Sequence, residues 1–413
     1  MRPCLVFLLM FPLVALAQGD FSLSLQEAES LWQEHSRELR LGQAAITGAV
    51  ADLRTAGQVP NPDVSLNLLA ISPWSGYGSG SWKDKRGDNV LRLDQLIERG
   101  GKRDLRVRGA EARLDAARFE LDDTARQQLR VLRHAYYNLR LAQEKQQLAE
   151  ETANLYRKSA DAGKLRQKAG DIAPVDLSRL QIDLARAETE ARQALTERQQ
   201  ARQALAYLIG REREADILLA SDSWPTLENR ALSQSPLEQR PDLEAASRRL
   251  KAAEADRDLA RAKKSRDVTF GMQYEHNLQN APTNSYGFGV SMPLFIWHEY
   301  EGDIARAEAD LDMARQQLEL QQAQVLGQVA QARNALLSAR DRYQRLEGGL
   351  LADAERVAKA AQFAYDKGAM GLMDLLDARR TLRQIQTEAA SARADYAKAL
   401  SDWQIQAEFR KIK

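Results

Sequence analysis

The chain has 413 residues, with 59 basic and 58 acidic side chains, 44% hydrophobic residues and one cysteine, Cys4. One cysteine excludes a disulfide framework and a cysteine zinc site. The net charge of +1, about zero without Arg2, supplies no field for holding nucleic acid, and the length allows two or three ordinary domains or one elongated body.

Residues 1–17 read as a signal peptide. Arg2 precedes an apolar run from Leu5 to Leu16, and Ala15-Leu16-Ala17 fits small-x-small cleavage, so the mature chain is expected to begin near Gln18. Cys4 lies before the apolar core, the wrong side for a lipidated cysteine, and leaves with it. The alternative, a retained anchor over residues 5–16, falls short of the roughly 20 residues that span a bilayer.

The rest of the chain is a duplication. Ala110–Arg118 laid over Ala307–Arg315, at an offset of 197, gives seven identities in nine positions. A first repeat is expected over 18–209, a connector over 210–241 with Trp224-Pro225, Ser235-Pro236 and Arg240-Pro241, and a second repeat over 242–413. Each repeat reads as helix, strand, loop, strand, very long helix, turn, helix.

The first alternating run places Val64, Leu66, Leu68 and Ala70 on one face. A loop over Ser72 to Asp88 carries Trp74, Tyr77 and Trp82, and then Leu91 and Leu93 face opposite to Arg92 and Asp94. From 103 to about 168 there is no proline, and Ala, Leu, Gln, Arg and Glu predict one helix with an alanine seam at Ala135, Ala142 and Ala149. Beyond the connector, Val268, Phe270, Met272 and Tyr274 alternate with Thr269, Gly271, Gln273 and Glu275. After a loop from Asn277 to Ser285, Tyr286, Phe288, Val290 and Met292 alternate with Gly287, Gly289 and Ser291. The second long helix is expected as one piece from 298 to about 366. Leu311, Leu318, Val325, Ala332, Ala339 and Leu346 form its heptad seam, with Val329, Leu336, Tyr343, Leu350 and Val357 as companions.

On the helices alone an ordinary soluble coiled coil accounts for the heptads. The strands add a second constraint. Period two over about nine to eleven residues is what a tilted transmembrane strand needs, with one face in lipid and a polar or glycine-lined face inside. Four such runs at matching places in two repeats of an exported chain favour the membrane. Four strands cannot close a barrel, and an open edge in hydrocarbon leaves backbone groups unsatisfied, so three copies with twelve strands are expected.

Further residues carry a resemblance. Leu93-Asp94-Gln95-Leu96-Ile97-Glu98-Arg99-Gly100-Gly101-Lys102-Arg103 leads into the first long helix, and Val290-Ser291-Met292-Pro293-Leu294-Phe295 with Gly302, Ala305 and Ala307 leads into the second. The far turns are Gly170-Asp171-Ile172-Ala173-Pro174-Val175-Asp176-Leu177 and Gly368 to Ala378. Over essentially the whole mature chain this resembles the TolC-type outer-membrane efflux channels, most of all the CzcC branch of heavy-metal resistance pumps. The implied fold is mainly α with a small β part, a coiled-coil helical barrel continuing a transmembrane β-barrel. The implied partners are two further copies, outer-membrane lipid, a periplasmic adaptor and an inner-membrane pump of the resistance-nodulation-division class. The implied location is the outer membrane of a Gram-negative bacterium, with the helices in the periplasm.

The resemblance also implies a gate. Asp374 and Asp377 match the family's acidic rings at the periplasmic constriction. Carboxylates about 6 Å apart at an effective dielectric near 20 repel by roughly 3 kcal/mol, so a closed state needs bonds elsewhere. Tyr365 and Asp176 match a hydrogen-bonding latch, while Met370 stands where some relatives place a second, arginine latch. Gly170, Asp171, Gly368 and Ala369 at the hairpin tips are candidates for adaptor contact, or simply make the turns. Val64, Leu66, Leu68, Leu91, Leu93, Val268, Phe270, Met272, Tyr274, Tyr286, Phe288 and Val290 are the lipid-facing set.

No enzyme is expected, since no nucleophile, base and orienter come together and no cofactor fingerprint is present. No cofactor and no metal site are expected either, because the histidines at 35, 134, 276 and 298 are scattered. The cargo is heavy-metal cations by resemblance, with drugs or a secreted polypeptide as alternatives. A soluble periplasmic coiled-coil scaffold, or the adaptor itself, is the rival of another class.

Overall fold

The computed structural model describes residues 21–69, 87–227, 237–277 and 283–407. The expected leader, Ala70, and the loop residues Trp74, Tyr77 and Trp82 lie outside them. In chain order the elements are β1 (Phe21–Leu23), α1 (Leu25–His35), α2 (Arg37–Ala56), β2 (Asp63–Leu69), β3 (Asp88–Ile97), α3 (Lys102–Ala169), α4 (Pro174–Leu208), β4 (Leu218–Ala220), α5 (Pro241–Ala262), β5 (Val268–Asn277), β6 (Thr283–Ser291), α6 (Glu301–Arg345), α7 (Leu351–Asp366) and α8 (Leu372–Ala407). Helix dominates and strand is minor, as the absence of proline from the long segments implies. The chain divides into two compact units, one of residues 1–37, 126–233 and 329–410, the other of 38–125, 234–328 and 411–413.

The second of these units holds one four-stranded antiparallel sheet in the order β2-β3-β5-β6. Its helices repeat that order. Gly42 and Gly57 bring α2 close to Leu121 and Val107 of α3. From α3, Arg113 pairs with Asp256 of α5, and Arg249 of α5 pairs with Glu120 at 2.6 Å. From α5, Arg261 pairs with Glu308 of α6 at 2.7 Å, and Arg240, just before α5, donates to Gln328 of α6 at 3.0 Å. Both rows therefore end in an unpaired member. α2 has no buried residue, and α6 buries Leu311 and Val325 but leaves Met313 and Leu320, seven apart, in the open.

The first unit is helical apart from β1 and β4, which pair in parallel and which period-two reading of the sequence missed because each has three residues. Tyr136 fixes them. Its hydroxyl donates to Leu23 O at 3.0 Å and accepts from Asp222 N at 3.1 Å, and burial pushes that hydroxyl up to about 12. Ala135, Ala142 and Ala149 are buried as the alanine seam requires. Ala153, Tyr156 and Ala160 of α3 pack with Leu180 and Ala187 of α4 and Leu376 of α8.

The helix expected from 298 to 366 is not one piece. It starts at Glu301, and a π turn over Leu346–Leu350 separates α6 from α7, with Leu351 N bonding to Leu346 O and Gly349 outside helical geometry (φ 158°, ψ −35°). A π turn inserts one residue into the helical repeat. The companion seam is displaced by that residue: Leu350 and Val357 are exposed, while Leu351 packs on Leu346 and Ala389, and Ala354, Ala358 and Ala361 are buried.

Candidate functional site

Two sets of residues carry the functional reading, one in each unit. The first is the sheet. Register lays Leu66, Leu91, Tyr274 and Tyr286 in one row across all four strands, and Val64, Leu93, Met272 and Phe288 in the next. Phe270 and Val290 continue that face beside Gln95. All of these are exposed, Phe288 to 85%. Leu68 is exposed on the same face, beside Asn89.

The other face is polar. One row reads Ser65, Arg92, Gln273, Gly287 and another Asp63, Asp94, Gly271, Gly289. Arg92 Nε donates to Asp94 at 2.7 and 2.9 Å. A Cβ on Gly271 would collide with that ion pair, and one on Gly287 would come within 2.9 Å of Gln273, so glycine here makes room for polar side chains. An apolar face left exposed over a polar, charged opposite face is what a barrel wall in lipid requires.

Val268 departs from the lipid-facing set. It lies at the start of β5 opposite Ile97, yet is only 9% exposed. The adjacent Asp267 accepts from Arg99 N at 2.9 Å and Lys102 Nζ at 2.8 Å, which draws the junction into α3 against that end of the strand. Gly100 (φ 74°) permits the approach, since a Cβ there would meet Ser265 at 2.7 Å. Lys102 also donates to Ser265 O at 2.7 Å and is nearly buried.

The second set is at the helical turns of the other unit. α3 ends at Gly170 (φ 86°), with Asp171 N bonding to Arg166 O at 2.9 Å and Gly170 N to Gln167 O at 3.1 Å. α7 ends the same way at Gly368 (φ 72°), with Ala369 N to Ala364 O at 2.8 Å and Gly368 N to Tyr365 O at 3.0 Å. Both are Schellman caps in which glycine takes the left-handed position. Open space surrounds both glycines, and Asp171 and Ala369 are exposed.

Tyr365 and Asp176 do not bond each other within the chain. The Tyr365 hydroxyl accepts from Arg166 Nη1 at 2.9 Å, and Asp176 faces Arg179 at 3.6 Å. Asp374 and Asp377, three apart at the start of α8, are both exposed and pair with no described residue. Around them α8 is tied to α3, α4 and α7 by arginines. Arg380 grips Asp183 of α4 with bonds of 2.7 and 2.8 Å, and Asp183 is 7% exposed. Arg379 donates to Ser159 at 2.8 Å and to Gln362; burial lowers its pKa. Arg383 pairs with Glu190. Arg166, Asp183 and Arg380 were not singled out from sequence: Arg166 and Tyr365 are 199 positions apart, and no local pattern connects them.

The model of the outer membrane efflux protein family matches residues 30–211 and 232–402. The chain belongs to that family. This efflux protein is 29% identical over 186 residues to the cobalt-zinc-cadmium resistance protein CzcC of Cupriavidus metallidurans, an alignment covering 45% of this chain and 44% of that one, so the match spans less than half of the curated relative. Its fold is that of the Campylobacter jejuni outer membrane channel CmeC (TM-score 0.79, 19% identity, 92% of this chain and 85% of that one) and of the Vibrio cholerae outer membrane protein VceC (TM-score 0.76, 21% identity, 93% and 96%). Membership places the efflux protein in the outer membrane and among channels rather than enzymes.

Proposed function

We propose that three copies of this chain close a twelve-stranded barrel and form the passive exit duct of a tripartite efflux pump, fed through a periplasmic adaptor by an inner-membrane resistance-nodulation-division transporter. The observation that carries the reading is the sheet with its apolar face exposed and its edges, β2 and β6, unpaired among the described residues. Backbone groups on those edges cannot remain unsatisfied in hydrocarbon, at a cost of several kcal/mol each, and β6 of one copy bonding to β2 of the next satisfies both. The matching order of the helices supports the same closure, with the open face of α6 meeting that of the neighbour's α2.

Heavy-metal cations are the proposed cargo, supported by the name of the Cupriavidus relative. The duct performs no chemistry, and its contribution is a water-filled path and a gate. Asp374 and Asp377 line that gate, Gly170, Asp171, Gly368 and Ala369 present the tips to the adaptor, and Arg166, Tyr365 and Asp176 with the Arg380–Asp183 pair hold it shut. Deleting the gene and scoring tolerance to cobalt, zinc and cadmium tests the cargo. Sensitivity of the deletion strain, reversed by the plasmid-borne gene, is expected; unchanged tolerance to all three metals contradicts a heavy-metal cargo.

A further inference from the structure

The helix-side end of the sheet carries a concavity of about 410 Å³ lined by Arg99, Lys264, Arg266, Met292, Phe295 and Glu299. Three cations face one carboxylate. Lys264 lies 3.9 Å from Glu299, while neither the Arg99 nor the Arg266 side chain has a carboxylate partner among the described residues. Arg266 instead stacks over Phe295, 5.3 Å from the ring centroid, and Phe295 packs edge-on against Tyr300. Neighbouring cations are all engaged: Lys102 with Asp267, Arg106 with Glu98, Arg261 with Glu308, Lys263 with Asp303. Two guanidinium forks without a carboxylate partner among the described residues, held over one hollow, are a site for a phosphate or carboxylate.

What lies beside the hollow selects among anions. β6 ends at Ser291, but its apolar alternation continues, and Met292, Leu294 and Ile296 remain exposed on the parity of Phe288 and Val290. Trp297 follows at 93% exposure. A nine-residue strand rising about 3.3 Å per residue and tilted near 45° climbs roughly 21 Å, close to the height of a lipid-facing barrel band. The hollow therefore sits where that band ends and headgroups begin, with a tryptophan at interfacial depth.

We infer that Arg99, Lys264 and Arg266 form a headgroup site for an anionic phospholipid of the leaflet nearest the helices, with Met292, Leu294 and Ile296 against its acyl chains. This rests on the reading of the sheet as a lipid-facing wall. The site would fix the depth of each copy at the strand-to-helix junction.

The test uses the full-length protein in nanodiscs of phosphatidylcholine with a minority of phosphatidylglycerol, and native mass spectrometry counts the lipids retained after release. Wild type is expected to keep phosphatidylglycerol in preference to phosphatidylcholine. Arg99→Gln with Arg266→Gln should cut that preference roughly thirtyfold, as removal of two cations near a charged surface implies, while Arg261→Gln keeps it. Added inorganic phosphate should not displace the lipid. Unchanged preference in the double variant, no preference in wild type, or displacement by phosphate would overturn the assignment. Disc incorporation is read in the same sample: protein that never enters the disc overturns the lipid-facing wall and the site together, whereas normal incorporation without preference removes the site alone.

Discussion

Arg166, in the last turn of α3, donates from Nη1 to the Tyr365 hydroxyl at 2.9 Å and also lies 5.1 Å from the centroid of the same ring. The contact joins the end of α3 to the end of α7, one turn before Gly368. Tyr365 is thereby held by two kinds of attraction to one cation. Both partners are partly exposed, so the pair contributes about 1 kcal/mol, which is roughly fivefold in a closed-to-open ratio if it holds the proposed gate shut. Single-channel recordings of Arg166→Gln in planar bilayers should show a severalfold higher open fraction than wild type, and Tyr365→Phe a smaller rise because stacking survives. Equal open fractions in all three proteins would remove this contact from the gate.

The π turn at Leu346–Leu350 makes a distinct prediction. Since it adds one residue between two helical stretches, deleting Gly349 should restore a continuous helix while leaving Leu351, Ala354 and Ala358 on the buried side. Deleting Ala339, within regular helix, should instead rotate everything beyond it by about 100°. The melting temperature is expected to be nearly unchanged for the first deletion and strongly lowered for the second. Similar losses in both would show that the turn is not a register insertion.

Met313 and Leu320 stand exposed on α6, away from its contacts with α5. If that face meets a neighbour, Leu320→Glu would bury a charge against an apolar seam and weaken assembly by several kcal/mol. The variant should run as a monomer on gels where wild type stays trimeric. A stable Leu320→Glu trimer would leave the α6 face outside the contact.

Acid should loosen the first unit through Asp402. Burial alone would raise the Asp402 carboxyl, but His134 Nε2 at 2.8 Å and Arg130 Nε at 3.0 Å outweigh it and hold the carboxyl below the usual value. A depressed carboxyl contributes stability above its ordinary value near 3.8, and that contribution is lost as pH falls through the folded value. Thermal melts of wild type and Asp402→Asn should differ at neutral pH and converge at acid pH. A difference that persists undiminished into acid would contradict the assignment.

Much of this was legible in the sequence because it depends on short periods. Alternation at Val64–Leu68 and Tyr286–Val290 marks a sheet with two chemically different faces, and neighbouring strands then bring the faces into line. Alanine at 135, 142 and 149 marks a close-packed seam in the same way. What escaped depends on partners remote in the chain. Gly348-Gly349 reads as two tolerable glycines in a helix, and only packing against Ala389 and Ala392 shows that the seam has moved by one residue. Val268 has the spacing of a lipid-facing residue, but Asp267 and Lys102 close the junction beside it. Tyr365 was picked out by resemblance together with Asp176, whereas Arg166 is the partner it has within the chain.

On the proposed function, one face of the β2-β3-β5-β6 sheet lies in lipid and the other in water. Single cysteines carrying a fluorophore, placed along β6 from Tyr286 to Ser291 in a Cys4→Ser background and reconstituted in vesicles, test it most directly. Quenching by lipid-borne bromine should peak at 286, 288 and 290, and quenching by aqueous iodide at 287, 289 and 291. Iodide reaching every position equally, with no quenching by the brominated lipid, would contradict the account.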